Sequence, residues 1–213
     1  LGQDPIPPIS PEGGLSPAVK DAIKSPLDMA IIPSIEIPVD TKASCHFVSN
    51  FVLVPRQGST RGFLDYLIPL LNAESPDGHL QHAFNACALA SLGNRVTSDS
   101  VKFQERAYAE YSRALAGTNA ALRHPEGSKS DTTLAAVLML GMFENITAKQ
   151  MGDFAWGSHV EGAIQIVKAR GRKQLRTKTG LLLFIAVRTQ LVSPWLRSRR
   201  LSALSVYLLT LKP

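Results

Sequence analysis

DTTLAAVLMLGMFENI, residues 131–146, is the stretch that decides the fold. It opens on an aspartate, a residue type suited to helix starts, and is then apolar on almost every side of a 3.6-residue period. A helix with no solvent face has to be buried by other helices. The neighbouring sequence supplies them in SPDGHLQHAFNACALASLGN (75–94), DSVKFQERAYAEYSRALAG (99–117) and FAWGSHVEGAIQIVKARG (154–171). In the first, Ser75 is placed to cap and Pro76 falls at the first helical position, where a missing N–H costs nothing. Leu80, Phe84, Cys87, Ala88 and Ser91 then share a face. In the second, Asp99 is the expected cap, and Phe103, Ala107, Tyr111 and Leu115 recur every four residues. The third presents Val160, Ala163, Ile164 and Val167. Gly93, Gly117 and Gly171 stand where left-handed stops are expected. In the central helix Leu138 should be fully buried. These segments predict an all-α fold.

Further helices are expected at residues 61–72 and at about 180–190. The former has Phe63, Leu67 and Leu71 on one face and a kink at Pro69. In the latter, Leu182, Ala186 and Val187, or Leu183 and Val187, are the core candidates. The run FVSNFVLV (47–54) has the β-branched content of a strand. Residues 1–44 contain eight of the 14 prolines. A segment so punctuated cannot run as a helix or a central strand, so a largely disordered linker is expected, with a short helical turn around Ala18–Lys24. No strict repeat recurs at a fixed period.

The 213 residues suffice for one domain with a substantial core. The longest apolar runs fall short of the ~20 residues of a membrane helix. Cys45 and Cys87 are the only cysteines and are far apart, as expected in a reducing compartment. The net charge of +6 conceals an asymmetry. All 17 acidic residues lie at or before Glu161, and residues 1–161 carry −5, whereas 11 of the 23 basic residues follow. The chain therefore has a mildly acidic body and a basic end.

The stretches SNFVLVPRQGSTRGFLDYLIPLL (49–71), AFNACALASLGNR (83–95), AYAEYSRALAGTNAAL (107–122), DTTLAAVLMLGMFE (131–144) and AWGSHVEGAIQIVKARGRKQLRT (155–177) resemble the middle regulatory region of fungal zinc-cluster transcription factors. The resemblance runs from about Cys45 to Gln190 and rests on the order and spacing of the segments. It implies a helical bundle or superhelix of antiparallel helices, a nuclear location, and control of a DNA-binding zinc cluster. It also favours helix or irregular chain over strand at 47–54. The expected layout is a linker over 1–44, a truncated regulatory domain over 45–191, and a divergent tail over 192–213. That zinc cluster is a six-cysteine cage, which two cysteines cannot build. Contact with DNA is thus expected only through a missing N-terminal cluster, and no cofactor is expected. Partners are expected to be proteins or a second copy, with room for a small-molecule effector. The alternative is a stand-alone helical interaction domain derived from such a factor. The tail lacks acidic residues, and its Val192-Ser193 pair is what a read-through intron start would encode. A foreign tail would leave the face of Leu183, Phe184 and Val187 partly exposed; a genuine divergent helix is the other reading.

No catalytic residues and no metal set are expected. His79 and His82, three apart, lack further ligands and read as a surface pair. His159 lacks a nucleophile beside it. Asn145, Ile146 and Thr147 spell a glycosylation sequon that reads as coincidental. Gly157, Gly162 and Ala163 admit either a closely packed helix or a cavity. The strongest patch is KARGRKQLRTK (168–178), with Lys168, Arg170, Arg172, Lys173, Arg176 and Lys178. It fits a nuclear-import signal or a polyanion-facing surface, and equally a solvated helix end whose cations complement the helix dipole.

Overall fold

The computed structural model describes residues 37–54, 62–95, 98–151 and 156–198, with side chains except at 149–151, 156–157 and 191–198. Seven α-helices occur among them: α1 (Val39–Phe51), α2 (Leu67–Ala73), α3 (His79–Gly93), α4 (Ser100–Leu122), α5 (Asp131–Met151), α6 (Trp156–Arg170) and α7 (Lys178–Ser198). Short 3-10 turns at Gly127–Lys129 and Arg172–Arg176 precede α5 and α7. The sole β-type pairing among the described residues is an isolated bridge between Leu53 and Phe63. The class is all-α, as the apolar periods predict. The proline-rich stretch up to residue 36, with its expected turn at 18–24, lies outside the described residues.

The centre is α5, packed against α3, α4, α6 and α7. Leu134, Leu138, Met139, Leu140 and Phe143 are all fully buried in it. The α3 helix is the second core element, covered by α1, α4 and α5. Phe47 of α1 meets Phe84 of α3 edge to face at 5.5 Å. Such aromatic pairs add to the energy of burial itself.

Several helix ends differ from expectation, each for a local reason. The α1 helix begins at Val39, inside the stretch read as linker. Pro38 stands just before it, where proline is compatible with a helix start, and Ala43 and Phe47 bury one face a turn apart. The helix expected at 61–72 is confined to α2. Phe63 is instead tied to Leu53 by two backbone hydrogen bonds of 2.9 and 3.0 Å. Leu64 then turns through φ 55° with its side chain in the core. Pro69 falls in the first turn of α2, among N–H groups that lack helical acceptors anyway, so no kink is required.

Ser75 and Pro76 do not start α3. Residues 75–78 form a turn closed by Gly78 N–H on Ser75 O, and the helix opens after Gly78. The cap comes from outside: the Glu74 carboxylate accepts from Leu80 N at 3.3 Å and Gln81 N at 2.9 Å. A carboxylate also complements the helix dipole at that end, which a serine hydroxyl does not. Ser130 performs the capping at α5, accepting from Thr133 N at 3.0 Å. Asp99 sits at the N-cap of α4 without a capping bond.

Of the three expected glycine stops, only Gly171 adopts a positive φ, 63°, at the end of α6. Gly93 ends α3 in front of a right-handed Asn94, and α4 runs through Gly117 to Leu122. Gly117 is required for another reason: a Cβ there would stand 2.8 Å from Cβ of His79. Gly162 on α6 has nothing within 4 Å of the same position. Alanine substitutions should therefore act in opposite directions. Gly162→Ala should stabilise by roughly 0.5–1 kcal/mol through helix propensity. Gly117→Ala should destabilise, because overpacking of about 1–3 kcal/mol outweighs that gain. Thermal unfolding of the two variants checks the signs.

The last helix, α7, continues to Ser198, past the expected end at 190. Leu183, Phe184 and Val187 are buried, so the exposure expected of that face under a foreign tail is not observed. No helix among the described residues is long and apolar enough to cross a membrane.

Candidate functional site

Two features rise from this frame: a polar seam through the core and a basic corner between α6 and α7. The seam begins with a carboxylate where the chain is least hospitable to one. Glu144 lies in α5 and is only 6% exposed. A buried charge is costly unless hydrogen-bonded, so its partners are essential. Its Oε1 accepts from Tyr111 OH of α4 at 2.8 Å and lies 2.9 Å from His159 Nε2 of α6. The Tyr111 hydroxyl and His159 Nε2 are 3.2 Å apart. The Tyr111 ring stacks on Phe143 at 4.5 Å. Burial, then the hydrogen bond to Glu144, pushes the Tyr111 phenol well above its usual range. Three helices thus meet at one carboxylate oxygen, which fixes their mutual register. Glu144 Oε2 is buried without a hydrogen-bond partner among the described residues.

The sequence reading named His159 but missed Tyr111 and Glu144 as its partners. A signal existed: Glu144 is the lone charge between Thr133 and Ile146 in a helix apolar on nearly all sides. Such a residue must find donors from neighbouring helices.

His79 and His82 are not a surface pair. Both are largely buried, and each engages a different carboxylate. His82 Nδ1 lies 2.6 Å from Glu110 of α4, which also accepts from Arg113. His79 Nδ1 lies 3.3 Å from Glu74, and its Nε2 lies 3.3 Å from Thr133 Oγ1. Among the described residues no group of three or more His, Cys, Asp or Glu is placed to hold a metal ion. Cys87 is buried and donates its thiol to Met139 O at 3.2 Å, whereas Cys45 is exposed.

Burial lowers the His79 pKa from its ordinary 6.5, against the opposing pull of Glu74. The folded state therefore favours the neutral ring, and the unfolded chain takes up its proton first as pH falls. The stability contributed by neutral His79 is complete above pH 6.5 and is lost as pH falls through the lowered folded value. His79→Gln should flatten the stability profile in that window, as read by urea denaturation at a series of pH values.

Ala163 is buried in α6, whereas Gly162 faces open space and supports neither the packing nor the cavity expected of it. An open groove of about 350 Å³ lies elsewhere, where the end of α3 meets the start of α4 beside Asn94, Val101 and Gln104. Asn94 spans that corner, donating to Ile146 O at 3.0 Å and accepting from Gln104 at 2.9 Å.

The basic run separates into two parts. Lys168, Arg172, Lys173, Arg176 and Lys178 are exposed. Arg170 departs from the patch: its side chain is 8% exposed and is paired with Asp131 at the start of α5. It ties the end of α6 to the central helix.

Comparison with known proteins bears on what this frame is for. The profile of the fungal specific transcription factor domain matches residues 45–210. The chain belongs to this family. Membership of this family points to a regulatory role. The match continues through residues 192–210, beyond the point where the resemblance was expected to stop. An uncharacterized protein of Emericella nidulans is 26% identical over 201 residues, covering 91% of this chain and 41% of that relative. The chain therefore spans about two-fifths of the relative's length. No solved structure matches it.

Proposed function

We propose that this chain is the regulatory domain of a fungal zinc-cluster-type transcription factor, acting in the nucleus on a metabolic or secondary-metabolite gene cluster. The observation that carries this reading is the extent of the family match, which takes in nearly the whole helical body rather than one segment of it. The domain is non-enzymatic in this reading and works through contacts. It holds or releases a separate DNA-reading module through domain docking, association of copies or a small effector. The stretch before Val39 is the proline-rich linker toward that module. The seam at Glu144 supports such a role because one carboxylate couples α4, α5 and α6, so a contact on any of the three bears on the others.

The test is a fusion of the chain to an unrelated DNA-binding module upstream of a reporter gene. Reporter output should change relative to the module alone. Unchanged output from a well-expressed, folded fusion would instead favour a stand-alone interaction domain. Transcript profiling of a deletion strain tests the finer claim, with altered genes expected to group in one metabolic cluster.

A further inference from the structure

Between α6 and α7 the charge asymmetry of the chain becomes a shaped surface. Gly171 turns the backbone out of α6, and Arg172–Arg176 form a 3-10 turn before α7 starts at Lys178. The turn is pinned from inside. Gln174 is buried, and its Nε2 donates to Val167 O at 2.9 Å and Gly171 O at 2.8 Å. Leu175 packs against the core. At the far end, Thr177 Oγ1 accepts from Gly180 N at 3.0 Å and caps α7. On the outside, Arg172, Lys173, Arg176 and Lys178 are all exposed. Ion pairs among the described residues involve none of these four. Residues three apart eclipse in a 3-10 turn, so Lys173 and Arg176 stand one above the other. No acidic side chain follows Glu161 in the sequence.

We infer that Arg172, Lys173, Arg176 and Lys178 form a preformed docking surface for the phosphate backbone of double-stranded DNA, independent of base sequence. Single-sign, unpaired cations on a fixed frame are what displaces counterions from a duplex. Arginine adds a planar fork that matches phosphate oxygens in two-point contact. Residues 168–178 contain no aromatic side chain, so the surface lacks the stacking platform that single strands require. The buried Gln174 separates this surface from an extended import signal. Straightening the segment into an acidic receptor groove would break both Gln174 hydrogen bonds and expose Leu175. The choice of a duplex among polyanions rests on the regulatory reading above. Sequence-independent contacts are weak alone, but a tether to a module already on DNA raises their effective concentration.

The experiment measures fluorescence anisotropy of a labelled duplex of arbitrary sequence with the full 213-residue chain, across about 50–200 mM salt. Arg172→Gln, Lys173→Gln, Arg176→Gln and Lys178→Gln should each reduce the slope of log affinity against log salt by about 0.9. The quadruple variant should bind more than tenfold more weakly at low salt, with an unchanged thermal midpoint. Lys42→Gln and Lys102→Gln, at exposed cations on α1 and α4, should leave the slope unchanged. The proposal is overturned by an unaltered slope in the quadruple variant, or by an equal effect of the two control substitutions. Polyglutamate binding more tightly than the duplex would also overturn it, in favour of an acidic protein partner. Reporter output is read separately. A silent fusion with a normal salt slope removes the regulatory reading alone, and an active fusion without the slope removes the docking surface alone.

Discussion

Leu138→Ala is expected to lower the free energy of unfolding by about 2–5 kcal/mol. Leu138 sits near the middle of α5 and is 1% exposed. Its neighbours on the same helix, Leu134, Met139 and Leu140, are equally enclosed, and α5 is covered by α3, α4, α6 and α7. The loss combines the transfer energy of the deleted methyl-bearing carbons with the cost of the space they leave. Collapse into that space is hindered, because the polar seam ties α4 and α6 to α5 one to two turns away at Glu144. An effect at the upper end of the range is therefore expected. Chemical denaturation gives the value directly, and a change under about 1 kcal/mol would mean that Leu138 is not enclosed. Such a loss is a large fraction of the total for any domain, so the variant should also lose soluble yield in the cell.

The same residue shows what the sequence could and could not convey. The burial of Leu138 was legible because a helix apolar all round has a single physical solution. Helix existence was legible elsewhere for a related reason, since apolar spacing at three and four residues is a local property. Helix ends were less so. The start of α3 is set by Glu74, a residue before the turn, and neither Ser75 nor Pro76 contributes what local rules assign to them. Gly117 has the residue type of a stop but serves as a contact point for His79, which depends on α3 crossing α4 there. Gly171 takes the positive φ that its place after α6 predicts, because that stop is a purely local feature.

The candidate site divides along the same line. Exposure of Arg172, Lys173, Arg176 and Lys178 follows from a run of charges that α6 and α7 have no room to bury. The seam was not legible as a set, because Tyr111, Glu144 and His159 come from three helices, with 33 positions between the first two and 15 between the last two. Only Glu144 signalled itself, by being charged where its helix has no surface. The two histidines of α3 misled for the converse reason. Three residues apart and without further ligands nearby in sequence, they read as a surface pair, but partners on α4 and before α3 hold them against separate carboxylates.

Arg170 illustrates the sharpest case, and it yields the second large effect. Asp131→Ala should destabilise by on the order of 3 kcal/mol, whereas Arg170→Met should cost less, although both break the same ion pair. The asymmetry follows from where each charge lies. The Arg170 side chain is 8% exposed, and that of Asp131 is 30% exposed. Removing the aspartate strands a guanidinium that already has one buried nitrogen, Nη1, without a partner among the described residues. Removing the arginine leaves a carboxylate in the first turn of α5, where partial exposure and the helix dipole both favour it. Methionine also keeps much of the apolar stem that arginine packs along the end of α6. The double variant Asp131→Asn, Arg170→Met should therefore be more stable than Asp131→Ala alone, because no charge remains to be buried. Denaturation of the three variants at neutral pH checks the order. Equal losses in the two single variants would mean that Arg170 reaches solvent after all and belongs with the exposed cations of the basic corner.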